Sequence, residues 1–228
     1  MVEYLTSDAW RSAKDRFMFC SALLTAQNAT NFAEIGVWKG EFAKIILKKC
    51  PHISDYYMVD PWQHLDGWNK PANVPEDRFE KFYQLAMKET DFAKGRRKVI
   101  RKPTTQAALD FDNGSLDALY IDGDHTLRGI TLDLISLYPK VKYGGLILGD
   151  DLSPTIWQHP EKYEPSLVFP FAVHFAEAMN CPIYAGPFNQ FVILKMPHKG
   201  FSFTDLTQTY PETGLLGQFL GNENVAKF

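Results

Sequence analysis

The stretch at residues 118–152, ALYIDGDHTLRGITLDLISLYPKVKYGGLILGDDL, decides the fold. Two apolar runs, LYI and LILG, each end in acid, and a helical pattern lies between them. Strand, helix and strand in that order make a βαβ unit. Strands that stop on Asp122-Gly123-Asp124-His125 and on Asp150-Asp151 place up to four carboxylates at the carboxyl edge of one sheet, where open α/β sheets bind their ligands. Oxygen-only donors clustered there suit a hard divalent cation such as magnesium. The competing reading makes Asp124 a cap for the helix expected at 126–138. Two adjacent acids at the second tip resist that reading, because buried like charges repel unless a cation or a proton intervenes.

Working outward, residues 31–37 (NFAEIGV) read as a buried strand, 40–50 as a helix closed by Pro51, and 55–60 (DYYMVD) as a second strand ending on acid. Upstream, Asp8 is the expected cap of one helix running to about Ala26. Residues 61–75 hold Trp62, Trp68 and Gly67 and fit neither period, so they form a long loop over the sheet edge. A helix at 76–92, a strand at 98–101, a short helix at 104–109 and a strand at 116–121 follow. Beyond Asp151 comes a loop rich in proline and aromatics, then a helix at 169–179 and strands at 182–185 and 190–194. One domain is expected over 1–228, with a helix in 1–30, a core in 31–195 and a tail in 196–228 whose end, 214–228, is weakly patterned.

Composition narrows the partners. With 228 residues, 45% hydrophobic, the chain can bury a full core. A net charge of -3 gives no global field for nucleic acid or an anionic membrane, so a small molecule is the expected partner. Cys20, Cys50 and Cys181 are far apart and lack metal-ligand spacing, which fits reduced thiols. The first residues lack an apolar signal core and no apolar run spans a bilayer, so a cytoplasmic location is expected. The aromatic first helix and the tail are candidate homodimer surfaces.

A second informative stretch, Glu34-Ile35-Gly36-Val37-Trp38-Lys39-Gly40, sits at a strand-to-helix turn. A dinucleotide fingerprint needs a glycine where bulky Trp38 stands, and no phosphate-binding G-x-x-x-x-G-K-[ST] occurs. A nucleoside ligand without phosphates fits better. Asp60, at the next strand end, lies where an acid accepts ribose hydroxyls.

Over residues 31–195 these motifs resemble the class I S-adenosylmethionine-dependent methyltransferases. The E-x-G-x-x-x-G of Glu34, Gly36 and Gly40 looks like the family's first motif, and Asp60 like its ribose-binding acid. I-D-G-D-H-T at 121–126, with G-G at 144–145 before D-D, is similar to the branch of metal-dependent small-molecule and sugar O-methyltransferases of antibiotic pathways. The resemblance implies a Rossmann-like α/β three-layer sandwich, with a mostly parallel seven-stranded sheet, an antiparallel last strand and an extra N-terminal helix. It implies S-adenosylmethionine as cofactor, magnesium held by Asp122, Asp150 and Asp151, and Asp124 as base. Asp122 also lies near the methionine moiety in this reading. After the third strand the chain has Lys102-Pro103-Thr104 where relatives often carry Gly then Asp or Ser, which leaves Thr104 as the candidate adenine contact.

A sulfonium methyl is already activated, so positioning the oxygen nucleophile is the main catalytic task, worth roughly 7 to 11 kcal/mol. A magnesium ion would orient that oxygen and stabilise its charge. His125 rivals Asp124 as base on unperturbed pKa. Two other enzyme classes offer alternatives. D-x-D-x-T at 122–126 is similar to the signature of haloacid-dehalogenase-type phosphatases, although it leaves residues 31–60 unexplained. A nicotinamide-dependent oxidoreductase conflicts with Trp38.

Overall fold

A computed structural model of the chain describes residues 2–160 and 162–210. Among these residues eight strands form one sheet: β1 Asn31–Ile35, β2 Asp55–Val59, β3 Arg97–Ile100, β4 Leu116–Ile121, β5 Val141–Gly149, β6 Pro182–Ala185, β7 Phe191–Leu194 and β8 Ser202–Asp205. Their order is β3-β2-β1-β4-β5-β7-β6-β8. Only β7 runs against its neighbours, pairing antiparallel with both β5 and β6. The Rossmann-like expectation therefore holds, and the expected antiparallel last strand, at 190–194, is β7, inserted between β5 and β6. One correction is needed: an eighth strand, β8, adds parallel to β6 at the edge. The sequence at 214–228, expected as weakly patterned tail, lies outside the described residues.

Among the described residues seven α-helices flank the sheet: α1 Val2–Thr6, α2 Arg16–Gln27, α3 Glu41–Lys49, α4 Glu76–Glu89, α5 Thr104–Ala107, α6 Leu127–Leu137 and α7 Val168–Ala178. Alternation along the central strands sorts them into two layers. Phe32, Tyr56, Ala118 and Tyr120 face Phe19, Leu23, Phe42 and Phe82 of α2, α3 and α4. Ala33, Ile35, Leu119 and Ile147 face Ile130 and Leu134 of α6 and Phe175 of α7. The first helix is not continuous from Asp8. A 3-10 turn at Asp8–Ser12, capped by Ser7, precedes α2, and Asp15 caps α2 by accepting the Met18 amide at 2.7 Å.

Two constraints set the functional edge. Gly36 has φ +85°, and a Cβ there would lie 2.0 Å from the Asp122 carbonyl oxygen. The turn after β1 and the tip of β4 are thus in backbone contact, reinforced by the Asp122 amide donating to Ile35 O at 2.8 Å. Within β5, Gly144 adopts φ +76° where the register against β4 slips, which lets the strand begin at Val141, well ahead of the LILG run.

Gly36→Ala should therefore cost about 2 to 4 kcal/mol, because clash adds to left-handed strain. Gly144→Ala, with open space around its Cβ, should cost about 1 kcal/mol. Urea unfolding measures both, and equal losses would contradict the close approach of the two tips.

Candidate functional site

A cleft of about 1260 Å³ opens along the carboxyl edge of β1, β2 and β4. Glu34, Gly36, Asp60 and Thr104 line one part of it, and Asp122, Asp124, His125 and Asp151 another. Two expected residues stand behind the cleft. Gly40, read as a cofactor contact, caps α3 in a left-handed conformation and packs on α4, where a Cβ would lie 2.8 Å from the Ala86 Cα. Asp150 is held under the edge by Gln190.

Asp60 builds the glycine turn from below. Its Oδ2 accepts the amides of Val37 at 2.9 Å and Trp38 at 2.8 Å, and its Oδ1 accepts the Trp62 amide at 2.7 Å. Trp38 and Trp62 reach it with φ of +50° and +42°, and the Trp62 indole donates to Trp38 O at 2.7 Å. Burial raises the Asp60 pKa against the pull of these three amides. Glu34, 1% exposed, accepts the Tyr56 hydroxyl at 2.7 Å. Burial pushes its pKa up to about 8, which keeps it a neutral acid near pH 7.

Across the cleft, Asp124 is fully engaged. Its Oδ1 accepts the Trp68 indole at 2.9 Å and the Thr126 amide at 3.0 Å, and its Oδ2 accepts the Thr126 hydroxyl at 3.0 Å. Thr126 in turn is the residue that caps α6, through Gly129 N at 3.1 Å. A Cβ on Gly129 would overlap the Asp124 carboxyl carbon at 2.3 Å, so this carboxylate sits directly on the helix start.

His125 lies between two carboxylates: its Nδ1 contacts Asp151 Oδ2, and its Nε2 is 3.4 Å from Asp122 Oδ1 without hydrogen-bond geometry. Burial opposes its charge, but Asp122 and Asp151 overcome that and raise its pKa to about 10. It is a retained cation near neutrality, not the free base that its ordinary pKa suggested. Asp151, with φ +60°, is held below the usual carboxylate range by His125 against the effect of burial.

Arg16, at the first position of α2, completes the cluster. Its Nη1 contacts Asp150 Oδ2, donates to Asp122 Oδ2 at 3.1 Å and reaches the Tyr120 hydroxyl at 3.4 Å. Gln190 donates to Asp150 Oδ1 at 2.6 Å and accepts from Tyr120 at 3.0 Å. Burial and the charge of Asp122 raise the Asp150 pKa to about 6, with Arg16 opposing them. The donor set expected for magnesium does not fit a cation in this arrangement. Asp122 and Asp150 share the Arg16 guanidinium, Asp151 is taken by His125, and among the described residues no group of three or more His, Cys, Asp or Glu is placed to hold a metal ion.

Sequence reasoning missed Arg16, Gln190 and Lys70. The Asp15 cap was the available signal for Arg16. Lys70 is 7% exposed and donates to Glu164 O at 2.8 Å, Pro165 O at 3.1 Å and Ser166 Oγ at 3.2 Å, stitching the 61–75 loop to the segment before α7.

A family model described as a methyltransferase domain matches residues 33–152, more than half of the chain. The chain belongs to this methyltransferase family. No curated protein matches it. Among solved structures, a putative caffeoyl-CoA O-methyltransferase from Staphylococcus aureus is 12% identical, with TM-score 0.57 over 85% of this chain and 90% of that one. The O-methyltransferase TomG of Streptomyces achromogenes, solved with S-adenosylmethionine and involved in tomaymycin synthesis, is 12% identical, with TM-score 0.54 over 77% of each chain. An O-methyltransferase from Bacillus cereus, in complex with S-adenosylhomocysteine, is 14% identical, with TM-score 0.54 over 80% and 82%. At these identities the likeness is one of fold. No helix among the described residues of this methyltransferase is long and apolar enough to cross a membrane.

Because the folded pKa of His125, about 10, exceeds its unfolded value near 6.5, its stabilising contribution is complete below about pH 6.5 and is lost as pH rises to about 10. The stability gap between the wild type and His125→Gln should be large at pH 6 and shrink toward pH 10. Denaturant curves at the two pH values test this, and a constant gap would contradict the ion-paired histidine.

Proposed function

We propose that this methyltransferase carries the methyl group of S-adenosylmethionine to a hydroxyl oxygen of a small molecule. One convergence supports the reading most: the glycine turn, fixed by Asp60 and free of phosphate-binding character, faces the same cleft as the acidic tip of β4. In this reading the nucleoside rests along the turn toward Thr104, and its sulfonium end lies near Asp122.

The chain's own residues then position and deprotonate. Asp124 borders the cleft as the proton acceptor, with Trp68 and Thr126 fixing the orientation of its carboxylate. The loop stitched by Lys70 walls the acceptor end and limits water there. His125, charged near neutrality, supplies positive charge beside the acceptor oxygen. Divalent-metal assistance, which the resemblance implied, gains no support from this arrangement, because it requires Arg16 and His125 to move off the three carboxylates at the adjacent tips. Neither the phosphatase nor the oxidoreductase reading gains a supporting observation: Asp122, the nucleophile of the first, is paired with Arg16 and lies beside His125, and Trp38 stands at the turn position where the second needs a glycine.

Calorimetry with S-adenosylhomocysteine should show binding that Asp60→Asn weakens by about tenfold or more, because the turn amides lose a charged acceptor. Asp124→Asn should leave that affinity within about twofold while lowering turnover across a panel of hydroxylated acceptors by about 100-fold or more. Binding of NAD in place of S-adenosylhomocysteine would overturn the proposal.

A further inference from the structure

We propose that Arg16 is the resident cation of the acidic cluster, standing between Asp122 and Asp150 where a divalent metal would otherwise sit, so that this methyltransferase works without one. The inference rests on the methyl-transfer reading for its catalytic meaning, but its structural part stands on the cluster alone.

Three observations carry it. Metal coordination by carboxylates needs oxygens about 2.0 to 2.6 Å from the ion. The gap between Asp122 Oδ2 and Asp150 Oδ2 is already filled by Nη1 of Arg16, so guanidinium and metal ion exclude each other there. Next, Arg16 is locked from its own side. Asp15 caps the helix beneath it, the guanidinium carbon lies 5.3 Å from the Phe17 ring and 5.9 Å from the Phe42 ring, and Phe42 stacks on Tyr120 at 3.9 Å. Finally, a cation in the first turn of a helix opposes the helix dipole. Arg16 stands there against that field, and the two carboxylates offset the cost. It also lies ahead of the matched family residues 33–152, so the segment that supplies the charge is outside the matched domain.

The pairing agrees. Asp122 and Asp150 face Arg16, Asp151 faces His125, and Gln190 satisfies the remaining Asp150 oxygen. Arg16 lines the cleft with 29% of its side chain exposed, and its Nε and Nη2 donate to no described residue. Those nitrogens are available to an acceptor oxygen as its proton leaves. The acceptor class that matches is one whose hydroxyl becomes a planar, charge-delocalised oxyanion, such as a phenol or enol, for which a guanidinium is a better partner than a compact ion.

The test is a manganese titration of the full chain followed by electron paramagnetic resonance, with thermal unfolding in parallel. Wild type should bind no manganese at the cluster, and its melting temperature should be the same in EDTA and in excess magnesium. Arg16→Met, which keeps the packing on Phe17 and Phe42 but removes the charge, should melt lower. It should also gain a manganese site at least about tenfold tighter than any residual binding by wild type, and manganese should restore its melting temperature. Arg16→Lys, as a charged control that stays folded if Arg16→Met does not, should gain no such site. Tight manganese binding by wild type that Asp150→Asn abolishes would overturn the proposal, as would Arg16→Met that folds without gaining a site, or Arg16→Lys that gains one. A wild-type protein that binds no S-adenosylhomocysteine yet shows this metal behaviour would sink the methyl-transfer reading and leave the Arg16 assignment intact.

Discussion

Three carboxylates crowd the tips of β4 and β5, each with less than a third of its side chain exposed, and they cannot share that space without positive charge. Removing one partner from a buried ion pair leaves an uncompensated charge, which costs several kcal/mol. The site therefore obliges the fold to deliver cations from two directions. One, His125, comes from the strand tip itself. The other, Arg16, is carried by a helix preceding the sheet, which explains why α2 packs on the sheet face beneath Phe42 and Tyr120.

The glycine turn answers to a different constraint. Its backbone must pass within contact of the β4 tip, which only Gly36 allows, and its amides must find an acceptor once they leave the β1 ladder. Asp60 is that acceptor. The same carboxylate that makes the turn rigid is thus placed at the cleft wall, so the nucleoside of the proposal would meet a preformed surface. Trp38 and Trp62 hold their left-handed conformations because Asp60 and the indole of Trp62 fix both ends.

Much of this was legible in the residues. The strand at 116–121 and that at 182–185 coincide with β4 and β6, because both are fully buried runs, apolar except for Asp117, and bounded by turn residues. The acids of the β4 and β5 tips could be placed at one edge because a parallel βαβ unit leaves no other arrangement. What escaped depended on tertiary context. The start of β5 at Val141 relies on a register slip through Gly144, and β8 is a short half-exposed strand whose pattern shows nothing until β6 is beside it. Arg16 was hidden by reading one continuous first helix, which buried the Asp15 cap inside the element instead of at its start. Gln190 gave no signal, since a fully buried amide just ahead of an apolar strand declares itself only through its partners.

The loops explain how acceptor choice can vary over a constant frame. Trp68 on the 61–75 loop donates to Asp124, while the Leu167 amide donates to His125 O at 2.8 Å and Lys70 ties the two loops together. The proposed acceptor end is thus anchored to the same residues, Asp124 and His125, to which the proposal gives the chemistry. A change of loop sequence that altered acceptor shape would also shift Asp124, unless its bonds to Thr126 held it. Those bonds are local, across two residues, and independent of the loops. The helix start therefore keeps the carboxylate in place, and the indole only refines its aim. This division lets the walls of the cleft change without dismantling the charged centre.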